Sequence, residues 1–137
     1  MKIYVSRSNP AITDRRIRNE NQIESVLLQN GFQVIHPENM TFDEQVRAFG
    51  NASTIFAPFG AALANLVYAR RQAKVIIITT KQTPEFFRLL QLNRASGYML
   101  EPKTYKVREG KRPSESFEYE VEERALRQAL DYVSSRL

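Results

Sequence analysis

The chain has 137 residues, 42% of them hydrophobic, and a formal net charge of +5 at pH 7. That length suits one domain around one core, and that composition excludes a disordered chain. No apolar run approaches the ~20 residues of a membrane span, and with no cysteine in the sequence, disulfides, thiolate metal ligands and thiol catalysis are excluded.

Met1 leads straight into Ile3-Tyr4-Val5, a short strand with nothing like a cleaved signal before it. Ser6 to Arg18 reads as a long polar loop carrying Arg7, Arg15 and Arg16. A helix is expected from about Glu20 to Gln29, with Ile23, Val26 and Leu27 on one face and Gly31 as its stop. Phe32 to Ile35 is a second strand, ended by His36-Pro37. Thr41 and Glu44 have capping-box spacing and start a second helix, with Val46 and Phe49 facing inward. Thr54 to Ala57 is a third strand, followed by a turn at Pro58-Phe59-Gly60 and a helix from Ala61 to Ala69. Lys74 to Thr79 is almost wholly β-branched and apolar, as befits a strand covered on both faces. Thr83-Pro84-Glu85 starts an apolar helix. Gly97 to Leu100 suits a fifth strand, Glu101 to Ser116 reads as irregular and basic, and Leu126, Ala129, Leu130, Val133 and Leu137 define a C-terminal helix. There is no repeat, low-complexity tract or linker. The expected fold is therefore a single α/β domain over residues 1–137, Rossmann-like and doubly wound, with a mostly parallel sheet covered by helices on both faces.

Charge is uneven along the chain. Residues 1–68 carry 6 basic and 6 acidic side chains, whereas residues 69–137 carry 14 against 9. Lys103, Lys106, Arg108, Lys111 and Arg112 form a basic run suited to an anionic polymer or to solvent. Only Tyr105 interleaves it, which is thin for base stacking, so no nucleic-acid partner is expected.

In open α/β sheets ligands bind outside the carboxyl ends of the strands. Three loops should meet there: Ser6 to Arg16, His36 to Glu38, and the turn at Gly60. A helix start offers unpaired N–H groups and partial positive charge to an anion, and Gly60 lets a ligand approach the backbone. Equally, Gly60 serves a tight strand-to-helix connection. Arg7 and Arg16, facing that helix start, would clamp a diphosphate through bidentate forks; otherwise they, like Arg15 and Arg18, are solvated loop charges or salt-bridge partners of Asp14 and Glu20. Glu20 is placed to accept from a sugar hydroxyl or to favour the first turn of its helix. Asn65 caps a loop or touches a ligand. No cluster has metal-ligand spacing, one histidine gives no Ser-His-Asp arrangement, and neither a Gly-x-Gly-x-x-Gly fingerprint nor a P-loop is present.

Two motifs in order resemble a known family. Tyr4-Val5-Ser6-Arg7, Arg15-Arg16-Ile17, Asn19-Glu20, Gly31-Phe32 and Pro37-Glu38 resemble the first half of the family 61 glycosyltransferase domain, and Ala57 to Asn65 (APFGAALAN) resembles its second signature, with Gln45 between. The resemblance covers about Lys2 to Ile78. The family includes bacterial capsular polysaccharide biosynthesis proteins and eukaryotic xylosyl- and N-acetylglucosaminyltransferases. The resemblance implies the C-terminal, donor-binding half of a B-type glycosyltransferase, transferring sugar from a nucleotide donor, usually UDP-linked, with inversion and no essential metal or other cofactor. It implies that Arg7, Arg16, Asn19, Glu20, Gly60, Ala61 and Asn65 surround the donor, with a saccharide acceptor and a partner domain or second polypeptide completing the reaction in the cytoplasm. Phe59 departs from the pattern, which usually has histidine there, and phenylalanine donates no hydrogen bond. Alternative expectations are a degenerate, non-catalytic module of the same fold and, ranked last, an anion- or nucleic-acid-binding domain using Lys103 to Arg112.

Overall fold

The structure is a computed structural model and describes residues 1–9, 16–80, 84–107 and 117–134. Its centre is a five-stranded parallel sheet of β1 (Lys2–Val5), β3 (Phe32–Ile35), β4 (Thr54–Pro58), β5 (Lys74–Ile78) and β6 (Ser96–Leu100), in the order β3-β1-β4-β5-β6. Alternation along each strand splits the core in two. Ile3, Val5, Ile55, Ala57, Val75 and Ile77 face α2 (Phe42–Asn51) and α3 (Pro84–Leu92) through Phe49, Phe86 and Leu90. Tyr4, Phe56, Ile76 and Ile78 face α1 (Glu20–Gln29) and α4 (Glu123–Ser134) through Ile23, Leu27, Leu126 and Ala129. Strands buried on both faces must be apolar throughout, which is why β4 is buried at every position and β5 at all but its first. The fold is thus the expected Rossmann-like α/β arrangement.

The helix ends follow local chemistry. Thr41 Oγ1 accepts from the Glu44 N–H at 3.1 Å, half of the reciprocal capping pair. Gly31, at φ +85°, lies in the left-handed region that lets the chain leave α1.

The helix expected after Gly60 is present over Ala61–Tyr68, wound as a 3-10 helix. The three-residue turn puts Leu66 and Ala69 on the buried side and leaves Val67 and Tyr68 exposed. The supposed polar loop contains β2 (Arg16–Ile17), and the supposed irregular basic stretch contains β7 (Lys103–Lys106). With β8 (Phe117–Glu120) these form a second sheet, β2-β8-β7, parallel at one seam and antiparallel at the other. Across the antiparallel seam Lys103 stands opposite Glu120. Lys103 Nζ also lies 3.7 Å from Glu122, so part of the basic run is neutralised within this sheet. Arg108, Lys111, Arg112, Arg15 and the helix-start residue Thr83 lie outside the described residues.

Candidate functional site

The chain runs from β1 outward to β3, then returns to the other side of β1 to lay down β4 and β5. The direction of winding therefore reverses between β1 and β4, and a crevice opens there at the carboxyl ends of the strands. The segment leaving β1 is Ser6-Arg7-Ser8, and the segment leaving β4 is Phe59-Gly60.

These two segments touch. A Cβ placed on Gly60 would lie 3.0 Å from Arg7 Nη1, so the room that glycine leaves is taken by the arginine. Gly60 has φ 171°, an extended value open to any residue. Its requirement is close approach rather than backbone freedom. Ala61 begins the 3-10 helix immediately after it. Phe59 donates its N–H to Ile78 at 2.9 Å, and its ring packs against the α2/α3 core.

A cleft of about 150 Å³ is lined by Arg7, Ser8, Arg16, Ile17, Arg18, Glu20 and Asn21. It is smaller than the roughly 300–1,000 Å³ pockets that enclose whole small ligands, so it suits a diphosphate-sized group rather than a complete nucleotide-sugar. Arg7 and Arg16, from separate stretches of sequence, are brought together here. Arg18, read from sequence as a solvated or locally paired charge, joins them. Its Nε donates to Glu118 Oε2 at 2.8 Å, and its guanidinium lies 4.2 Å from the centre of the Tyr105 ring. No sequence signal announced this, because Glu118 lies 100 residues further along the chain and Tyr105 is also remote.

Glu20 is 4% exposed. Its Oε1 accepts from Tyr4 Oη at 2.9 Å and from the Arg7 backbone N–H at 2.6 Å, with Ser6 Oγ at 3.4 Å. Ser6 Oγ also lies 2.5 Å from Glu24 Oε1, one helical turn further along. Burial raises the Glu20 carboxyl above its ordinary range and the Glu24 charge adds to this; the bonds from Arg7 N–H and Tyr4, and the Arg7 charge, act in the opposite sense. Tyr4 is raised well above its ordinary value, chiefly by burial and then by the Glu20 charge.

The other sequence candidates are placed around this centre. Asn19 precedes α1 but makes no capping bond with its side chain. Its amide instead donates to Val121 O at 2.7 Å and accepts from Val121 N at 3.1 Å, tying the helix start to the end of β8. Asn65 Nδ2 donates to Gln45 Oε1 at 2.7 Å, and Gln45 Nε2 donates to Pro37 O at 3.0 Å. That chain of amides braces the 3-10 helix against the loop after β3, away from the arginine cleft. Asn9, from the segment after β1, donates to Glu38 Oε1 of that loop at 3.2 Å, and His36 Nδ1 lies 3.6 Å from the same oxygen. Among the described residues no group of three His, Asp or Glu side chains could hold a metal ion, and no helix is long and apolar enough to cross a membrane.

A doubly wound parallel sheet with an arginine-lined cleft beside its reversal point defines a protein of the Rossmann-like α/β class. The family described as Glycosyltransferase 61 matches residues 1–76, more than half of the chain. The chain belongs to that family, and with it come a sugar donor and an acceptor as substrates. A search of curated proteins found no match.

Proposed function

We propose that this chain is the nucleotide-sugar-binding part of a glycosyltransferase of surface, including capsular, polysaccharide synthesis. The carrying observation is the apposition of the Arg7 guanidinium and Gly60 at the head of the 3-10 helix. A cation beside the positive end of a helix is electrostatically unfavourable by itself, and an anion shared by both relieves it. The β-phosphate of UDP is such an anion, with Arg16 holding the neighbouring phosphate from across the cleft.

In the reaction, an acceptor hydroxyl attacks the anomeric carbon as its bond to the diphosphate oxygen breaks, with inversion. Arg7, Arg16 and the helix start stabilise the charge developing on the departing UDP, which needs no metal. The acceptor proton passes to a base on a partner domain or second polypeptide. The small volume of the cleft supports such a partner, since the sugar and base then extend beyond it. The absence of cysteine supports a cytoplasmic setting.

The test is thermal unfolding with UDP. At about a hundred times its dissociation constant, a ligand specific to the folded state stabilises by about 2.7 kcal/mol. Arg16→Ala should erase the rise. No shift with any common nucleoside diphosphate overturns the reading.

Phe59 supports a second reading, a non-catalytic module of the same fold, because its ring packs against the core and supplies no hydrogen bond to phosphate. Calorimetry showing no nucleotide binding, together with a stable complex with a second polypeptide, would select it.

A further inference from the structure

Glu20 invites assignment as a ligand contact, since it lines the cleft. Its hydrogen bonds give it a different task. The Oε1 atom receives the Tyr4 hydroxyl and the Arg7 N–H, with Ser6 Oγ at the edge of reach. A carboxylate oxygen has about two lone-pair sites, so this atom is filled from within the protein. All three of these residues belong to β1 or the segment leaving it, and a carboxylate in the first turn of α1 thus fixes the path of the chain from Tyr4 to Arg7.

We propose that Glu20 is a positioning residue for Arg7: by holding the Arg7 backbone N–H, it sets the guanidinium against Gly60, where the anion is bound. This rests on the donor-binding reading for its consequence but not for its geometry. The 2.6 Å bond to Arg7 N is short and charge-assisted, the stronger kind of hydrogen bond. It holds the backbone at Arg7, and so the point from which the side chain leaves toward Gly60. Glu24 completes the arrangement: its Oε1 stands 2.5 Å from Ser6 Oγ, nearer than Glu20 Oε1 at 3.4 Å, so the Arg7 N–H and the Tyr4 hydroxyl are the close donors to Glu20.

Two measurements test this on the full chain. The first needs no ligand. The Arg7 amide proton, held in a short bond to a carboxylate, should resonate at low field in an amide NMR spectrum and move upfield in Glu20→Ala, while amides of β5 stay in place. An unchanged Arg7 amide overturns the proposal. The second is calorimetric titration with UDP across a double-mutant cycle. Glu20→Ala should weaken binding about tenfold to a hundredfold, the equivalent of one hydrogen bond to a charged group. In an Arg7→Ala background it should cost nothing further, and Glu20→Gln, which keeps an oxygen acceptor, should recover most of the affinity. Losses that add in the double variant overturn the proposal and make Glu20 a direct contact. Should Glu20→Ala fail to fold, Glu20→Gln carries the first test, since a neutral acceptor also moves the Arg7 amide upfield. Should UDP not bind the unaltered chain, the donor reading falls, and the Arg7 amide alone decides the role of Glu20.

Discussion

Arg7 Nη1 stands 3.0 Å from the point where a side chain on Gly60 would begin. The two residues leave adjacent strands at the place where the sheet reverses its winding. Neither would be constrained by the other if the strand order were different.

Gly60→Ala should therefore act on binding rather than on folding. The backbone at φ 171° accepts alanine, and the crowded atom is the end of a flexible side chain. Stability should change by less than about 0.5 kcal/mol, while UDP affinity falls through displacement of Arg7. Gly31→Ala is the complementary experiment. There φ is +85° with nothing within 4 Å, so the variant should lose about 1–2 kcal/mol of stability and keep its affinity. Urea unfolding and calorimetry on both variants check the pair.

The buried carboxyl of Glu20 gives a pH dependence with a definite sign. Its folded value is raised above the ordinary 4.5, so the native state binds the proton more tightly than the unfolded state does. The stability it contributes is complete below that ordinary value and is lost as pH climbs through the raised one. Glu20→Gln has no such loss. The urea midpoint of the variant should gain on that of the unaltered chain as pH goes from acid to neutral; a relative decline over the same interval would reverse the sign.

Asn19→Ala should cost about 1–3 kcal/mol, by leaving the Val121 N–H and C=O without their partner. Its helix-capping contribution is not at stake, because the side chain makes no capping bond. Hydrogen exchange should quicken in β2 and β8 and hold steady in β5.

Thr41→Ala should cost about 0.5–2 kcal/mol through the lost cap of α2. UDP affinity should be unmoved, since α2 lies on the other face of the sheet from the arginine cleft.

Most of the central sheet could be read from the sequence, because its strands are continuous apolar runs punctuated by Gly31, Pro37 and Pro58. The start of α1 at Glu20 and the cap at Thr41 were also legible, being local patterns. What escaped was non-local. Arg16 and Ile17 make a strand only because Glu118 and Tyr119 lie beside them, and two residues carry no periodicity. Lys103 to Lys106 looks like a solvated run until the acids of β8 stand opposite. The 3-10 winding after Gly60 was hidden because alanine-rich sequence favours an α-helix locally, whereas the buried pair Leu66 and Ala69 recurs every third residue. At the site, the meeting of Arg7 with Gly60 followed from the strand order. The internal commitments of Asn19 and Glu20 did not, because their partners, Val121 and the backbone of Arg7, are set by tertiary structure.

One wall of the cleft joins stretches far apart in the sequence: Arg16 and Ile17 pair with Glu118 and Tyr119, and Asn19 grips a residue 102 positions further on. A nascent chain leaving the ribosome can assemble β1, β3, β4 and β5 while the segment that closes this wall is still untranslated. The cleft wall is then completed only once Glu118 to Val121 have been made, well beyond the family-matching residues 1–76. A product terminated before Phe117 would hold the recognisable signature and an unfinished cleft wall.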